Sequence, residues 1–192
     1  NNIFIGGDYL PLVKGITNVT TRTYSFLDKW NLISLPLLVD NADKNILFPT
    51  AISNAYRYDP NTGYIVENIL QLGRGYWLKF PSQQNISING TFITNLTINV
   101  TQGWNMIGTI SEPLSVNSIV TEPLNIVTSN YFGYNNGYQT VTTLLPSKGY
   151  WIKVNQSGKL ILQNTLQQPQ EIINLNEFNI ITLRDKVNNL AN

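Results

Sequence analysis

The segment Trp30-Asn31-Leu32-Ile33 returns as Trp104-Asn105-Met106-Ile107, and Gly75-Tyr76-Trp77-Leu78-Lys79 returns as Gly149-Tyr150-Trp151-Ile152-Lys153. Gly63-Tyr64 likewise returns as Gly137-Tyr138, and every pair is 74 residues apart. All four tryptophans occupy repeat positions, and the same step from Trp104 reaches Phe178-Asn179-Ile180-Ile181. A long period kept in register marks a tandem structural unit. It divides the chain into an arm (1–22), a first unit (23–96), a second unit (97–170) and a partial third copy or C-terminal strand (171–192).

Within each unit the pattern is that of strands. Leu96, Ile98 and Val100 alternate with Asn95, Thr97, Asn99 and Thr101, the period of a half-buried strand. Asp59-Pro60-Asn61-Thr62-Gly63 is a turn-forming loop, and Asn136-Gly137 predicts a two-residue type I′ hairpin. Helical periodicity is confined to short turns near 40–47 and 116–119. The expected fold is all-β, two tandem sandwich- or barrel-like units.

Composition narrows function. The chain of 192 residues has no His and no Cys, so Cys/His zinc sites, disulfides and Ser–His or Cys–His nucleophile pairs are excluded. Twelve basic residues balance eleven acidic ones, without the basic stripe a nucleic-acid binder needs. No stretch approaches the ~18 consecutive apolar residues of a membrane span. The filler is neutral: 27 asparagines, with threonine, suit a chain working outside the cell. Asn1-Asn2 opens the chain with no apolar leader, as expected of a mature product or a fragment.

The Trp-Asn-Leu-Ile-Ser-Leu-Pro and Gly-Tyr-Trp-Leu-Lys segments, joined by a Gly-Tyr hairpin, resemble the "GWNLIS…PGKGYW" β-rich repeats of secreted and cell-surface prokaryotic proteins. The resemblance covers residues 23–165, with Lys29 where glycine is usual and Leu72-Gly73-Arg74 in place of the Leu145-Pro146-Ser147-Lys148 pattern. It implies an extracellular location and association with large surface proteins, and no catalytic residue.

Four tryptophans and their neighbouring tyrosines are candidates for a sugar-stacking platform, Trp77, Trp151, Tyr64 and Tyr138 above all. The alternative is a core role, since alternation sets Tyr76 and Leu78 opposite Trp77 and Lys79. Asn18, Asn85, Asn89, Asn95, Asn99 and Asn155 open Asn-X-Ser/Thr sequons and are candidate glycosylation acceptors. The carboxylates do not recur at equivalent positions, which argues against a paired-acid enzyme, and Asp40-Asn41-Ala42-Asp43-Lys44-Asn45 lacks calcium-loop spacing. No cofactor is expected.

Both ends carry apolar, strand-like residues: Ile3, Phe4, Ile5, Leu10, Leu12 and Val13 at one, Phe178, Ile180 and Ile181 at the other. Strand exchange through these ends would join copies head to tail. The expected function is therefore a structural subunit of a prokaryotic surface filament or layer, partnering with itself. The alternative is a carbohydrate-binding or adhesive module of a larger secreted protein.

Overall fold

The computed structural model describes residues 19–164. In its first half, β1 (Val19–Phe26), β2 (Lys29–Ser34), α1 (Lys44–Leu47), β3 (Tyr56–Asp59), β4 (Gly63–Val66), β5 (Gly75–Phe80) and β6 (Gln84–Thr91) follow in order. In the second, β7 (Asn95–Val100), β8 (Gly103–Ile107), β9 (Leu114–Ser115), a 3-10 turn (Val116–Ser118), β10 (Val120–Glu122), β11 (Tyr131–Tyr134), β12 (Tyr138–Val141), β13 (Thr143–Leu144), β14 (Tyr150–Val154) and β15 (Gly158–Gln163) follow. The protein is all-β, built of open antiparallel sheets, with no closed barrel among the described residues. None of its described helices is long and apolar enough to cross a membrane.

Each half is a two-layer sandwich. In the first, the β1-β6 ribbon faces the β2-β5-β3-β4 sheet; in the second, β10-β15-β7 faces β12-β11-β14-β8. Their ladders share a register 74 residues apart: Tyr24 pairs with Ile86 and Leu32 with Trp77, Ile98 with Leu160 and Met106 with Trp151. Phe26, Phe48 and Phe80 interlock at centroid separations of 5.2–6.2 Å in the first core, beside Ile33, Leu78 and Ile88. Aliphatic side chains such as Ile110, Ile126, Ile152 and Leu160 fill the second. Each such buried side chain contributes about 1.5–3 kcal/mol.

The recurring Trp-Asn pair has a structural reason. Asn31 Oδ1 accepts from the Leu27 amide (2.9 Å), while its Nδ2 donates to the carbonyls of Leu27 (2.9 Å) and Lys29 (3.2 Å). Asn105 makes the same three bonds with Thr101 and Gly103. The amide thus closes the bend between the first two strands of each half. In that bend Gly103 has φ 101° and Lys29 φ 65°, a conformation glycine adopts at least cost.

The halves differ at the hairpin. Ser53 accepts from the Lys79 amide and Ser129 from the Lys153 amide, so residues 53–58 correspond to 129–134 with a shift of two. Five residues separate the paired Tyr58 and Tyr64, three the paired Tyr134 and Tyr138, which restores the period. The second loop is thus longer than the two-residue type I′ turn expected from Asn-Gly. Within it Asn136 takes a left-handed conformation (φ 54°), which asparagine tolerates.

A local twofold relates the halves at their junction. Ile33 bridges to Lys148, and Ile107 to Arg74. The Ser34 amide donates to the Ser147 carbonyl (3.0 Å), and the Gly108 amide to the Gly73 carbonyl (2.8 Å). Positions 33 and 107, 34 and 108, 73 and 147, 74 and 148 exchange under this symmetry, joining the two larger sheets end to end.

Candidate aromatic ligand-binding face

Strand alternation sends Ile33, Tyr76 and Leu78 into the first core and leaves Trp30, Leu32 and Trp77 on the opposite face. The register places Tyr56 beside Trp77 and Tyr64 beside Tyr58 on that face. In the second half Phe132 stands beside Trp151, and Tyr138 beside Tyr134. Where the halves meet, the rings interlock reciprocally: Tyr58 lies 4.8 Å from Trp151, and Trp77 lies 4.8 Å from Tyr134. Leu32 and Met106 underlie this contact with Trp151 as a third apolar cluster.

The result is a pair of aromatic basins. The first, about 470 Å³, is lined by Trp30, Tyr56, Tyr64, Trp77, Tyr134 and Tyr138. The second, about 400 Å³, is lined by Tyr58, Trp104, Phe132, Tyr138 and Trp151. Trp30 and Trp104, related by the twofold, are each 38% exposed, and each packs edge-on against a more buried indole, Trp77 at 6.5 Å or Trp151 at 6.2 Å. Tyr64 and Tyr138 are more than half exposed, and Tyr138 lines both basins. Among the described residues no charged side chain lines either basin, although Lys79 Nζ reaches 5.9 Å from the Trp30 ring at its margin. Partial burial, followed by the nearby Tyr64, holds the Tyr138 hydroxyl above its usual pKa, so it remains a neutral donor.

All four residues singled out in the sequence for a platform line these basins: Trp77, Tyr64 and Tyr138 the first, Trp151 and Tyr138 the second. Tyr56, Tyr58, Phe132 and Tyr134 were not among them. Their signal is the alternation in Tyr56-Arg57-Tyr58 and Phe132-Gly133-Tyr134, which sets two rings on one face. Tyr76 and Tyr150 belong to the cores instead. Their hydroxyls accept from the amides of Gln71 (2.9 Å) and Leu145 (2.6 Å), another pair 74 residues apart.

Asn85, Asn89, Asn95, Asn99 and Asn155 are exposed, and Asn18 lies outside the described residues. Asn85 and Asn89 accept from Ser25 and Thr21 across the β1-β6 ribbon, within an outward ladder of hydroxyls and amides. The strand-like ends, Ile3 to Val13 in one case and Phe178, Ile180 and Ile181 in the other, also lie outside the described residues. Compared with protein families, curated proteins and solved structures, the chain matches none of them.

Proposed function

We propose that this body is a carbohydrate-binding module of an extracellular surface protein, with the two aromatic basins as its binding sites. The observation that carries the reading is the twin exposure of Trp30 and Trp104 above more buried indoles, in concave basins of about 400–470 Å³. Aromatic surface of this extent is ordinarily buried in a core or by a ligand. Basins this size fall in the range of small-molecule sites, and rings bearing a phenol or indole offer both an apolar face and a hydrogen-bonding edge. A neutral sugar has that combination: C–H faces for the rings, hydroxyls for the tyrosines. The lack of charged lining among the described residues and the near-zero net charge fit an uncharged ring better than an ionic ligand.

Glycan-array binding by the native chain, reduced by Trp30→Ala with the melting temperature within about 3 °C of native, is the expected result. Retention of full binding by that variant would remove the first basin from the reading. The filament or layer subunit is a separate proposal whose joint falls in residues 3–13 and 178–183, outside the described body. Deletion of residues 1–18 tests it by electron microscopy of assembled material.

A further inference from the structure

Arg74 and Lys148 occupy equivalent places at the junction, yet their surroundings differ. Arg74 Nη1 lies 3.0 and 3.3 Å from the two oxygens of Glu67, which also meets Arg57. The residue 74 positions after Glu67 is Val141, so the second half has no acid there. Lys148 Nζ donates to the Ser25 carbonyl (2.8 Å) and lies 5.2 Å from the Phe26 ring. Among the described residues no carboxylate forms an ion pair with it.

The adjoining clefts differ in the same sense. Beside Arg74 the cleft encloses about 120 Å³; beside Lys148 it encloses about 510 Å³ and has Lys148 as its sole charged lining residue among those described. Asn135 and Gln139 line this larger cleft with no side-chain hydrogen bond to described residues. Tyr134 lines both the cleft and the first aromatic basin, so the two sites adjoin. Burial lowers the pKa of Lys148, the cost of holding an ammonium away from water without a counter-ion. A carboxylate entering the cleft would offset that cost through a charge-assisted bond.

The geometry points to the Lys148 cleft as a subsite for the carboxylate of an acidic sugar residue, with the neighbouring ring of the same glycan held in the first basin. This deepens the carbohydrate reading and rests on it. Lys148 sets the preference for charge, Asn135 and Gln139 meet ring hydroxyls, and Trp30 and Trp77 supply affinity regardless of charge.

The test is calorimetry of the full chain with an otherwise neutral oligosaccharide that ends in one uronic acid, and with its methyl-esterified, uncharged form. The native chain is expected to bind the acid about tenfold or more tightly than the ester. Lys148→Gln should equalise the two, and Lys148→Arg should keep the preference. Trp30→Ala should weaken both equally. Equal binding of acid and ester by the native chain, or a preference that survives Lys148→Gln, overturns the inference. If neither form binds while a neutral glycan does so through Trp30, the cleft assignment fails and the basin reading stands. If no glycan binds at all, both fall.

Discussion

Ser34 and Gly108 face each other across the local twofold: a Cβ placed on Gly108 would lie 2.8 Å from the Ser34 Cβ. The two positions are equivalent in the halves, so the axis leaves room for one β-carbon and not for two. Gly108→Ala should destabilise the protein by about 1–3 kcal/mol through overpacking. Ser34→Gly should cost about 1 kcal/mol by losing the Ser34 hydroxyl bond to the Lys148 carbonyl (2.7 Å). The double variant should be less destabilised than the sum, because one clash is relieved. Strict additivity in urea denaturation would contradict this packing.

The bend asparagines give a second expectation. Asn31 is buried and satisfies three backbone groups, so Asn31→Ala should cost about 2–4 kcal/mol. Asn105 makes the same bonds in a more exposed bend, and its removal should cost less. Equal or reversed losses would show that burial is not what sets the penalty.

In the same bend Lys29 holds a left-handed conformation, as does its counterpart Gly103. Lys29→Gly should be neutral to about 1 kcal/mol stabilising, and Gly103→Ala about 1 kcal/mol destabilising. Differential scanning calorimetry checks both signs.

The core tyrosines predict the pH behaviour. Burial pushes Tyr131 and Tyr150 up to about 12, and raises Tyr76 further. An unfolded tyrosine ionises near pH 10. Below that value both states keep their phenolic protons, and this contribution is fully present. As pH rises from about 10 to 12 the unfolded state releases them first, so stability falls, by at most about 1.4 kcal/mol per pH unit for each tyrosine. The urea midpoint should decline over that window. A midpoint that holds constant to pH 12 would contradict the burial of these hydroxyls.

Much of each half is readable from residue spacing. Alternation places Tyr76 opposite Trp77, and the repeat aligns Trp30 with Trp104 and Tyr64 with Tyr138. The junction is not readable, because its ties are main-chain bonds such as that from the Gly149 amide to the Leu32 carbonyl (2.9 Å), to which side-chain patterns give no clue. The pooling of the rings is hidden for the same reason: Tyr58 meets Trp151, and Trp77 meets Tyr134, only because the sheets join end to end. A two-residue shift in the hairpin also conceals that Tyr56 and Phe132 are counterparts. The Lys148 cleft depends on a difference between the halves, Glu67 against Val141, that no single motif reveals.

The most direct test of the binding face is calorimetric titration with a short neutral oligosaccharide selected on the array. Two aromatic basins predict two equivalents bound by the native chain, one by Trp30→Ala or Trp104→Ala, and none by the double variant, with at least about a tenfold loss of affinity at each altered basin. A folded double variant that binds with native affinity and stoichiometry would contradict the account.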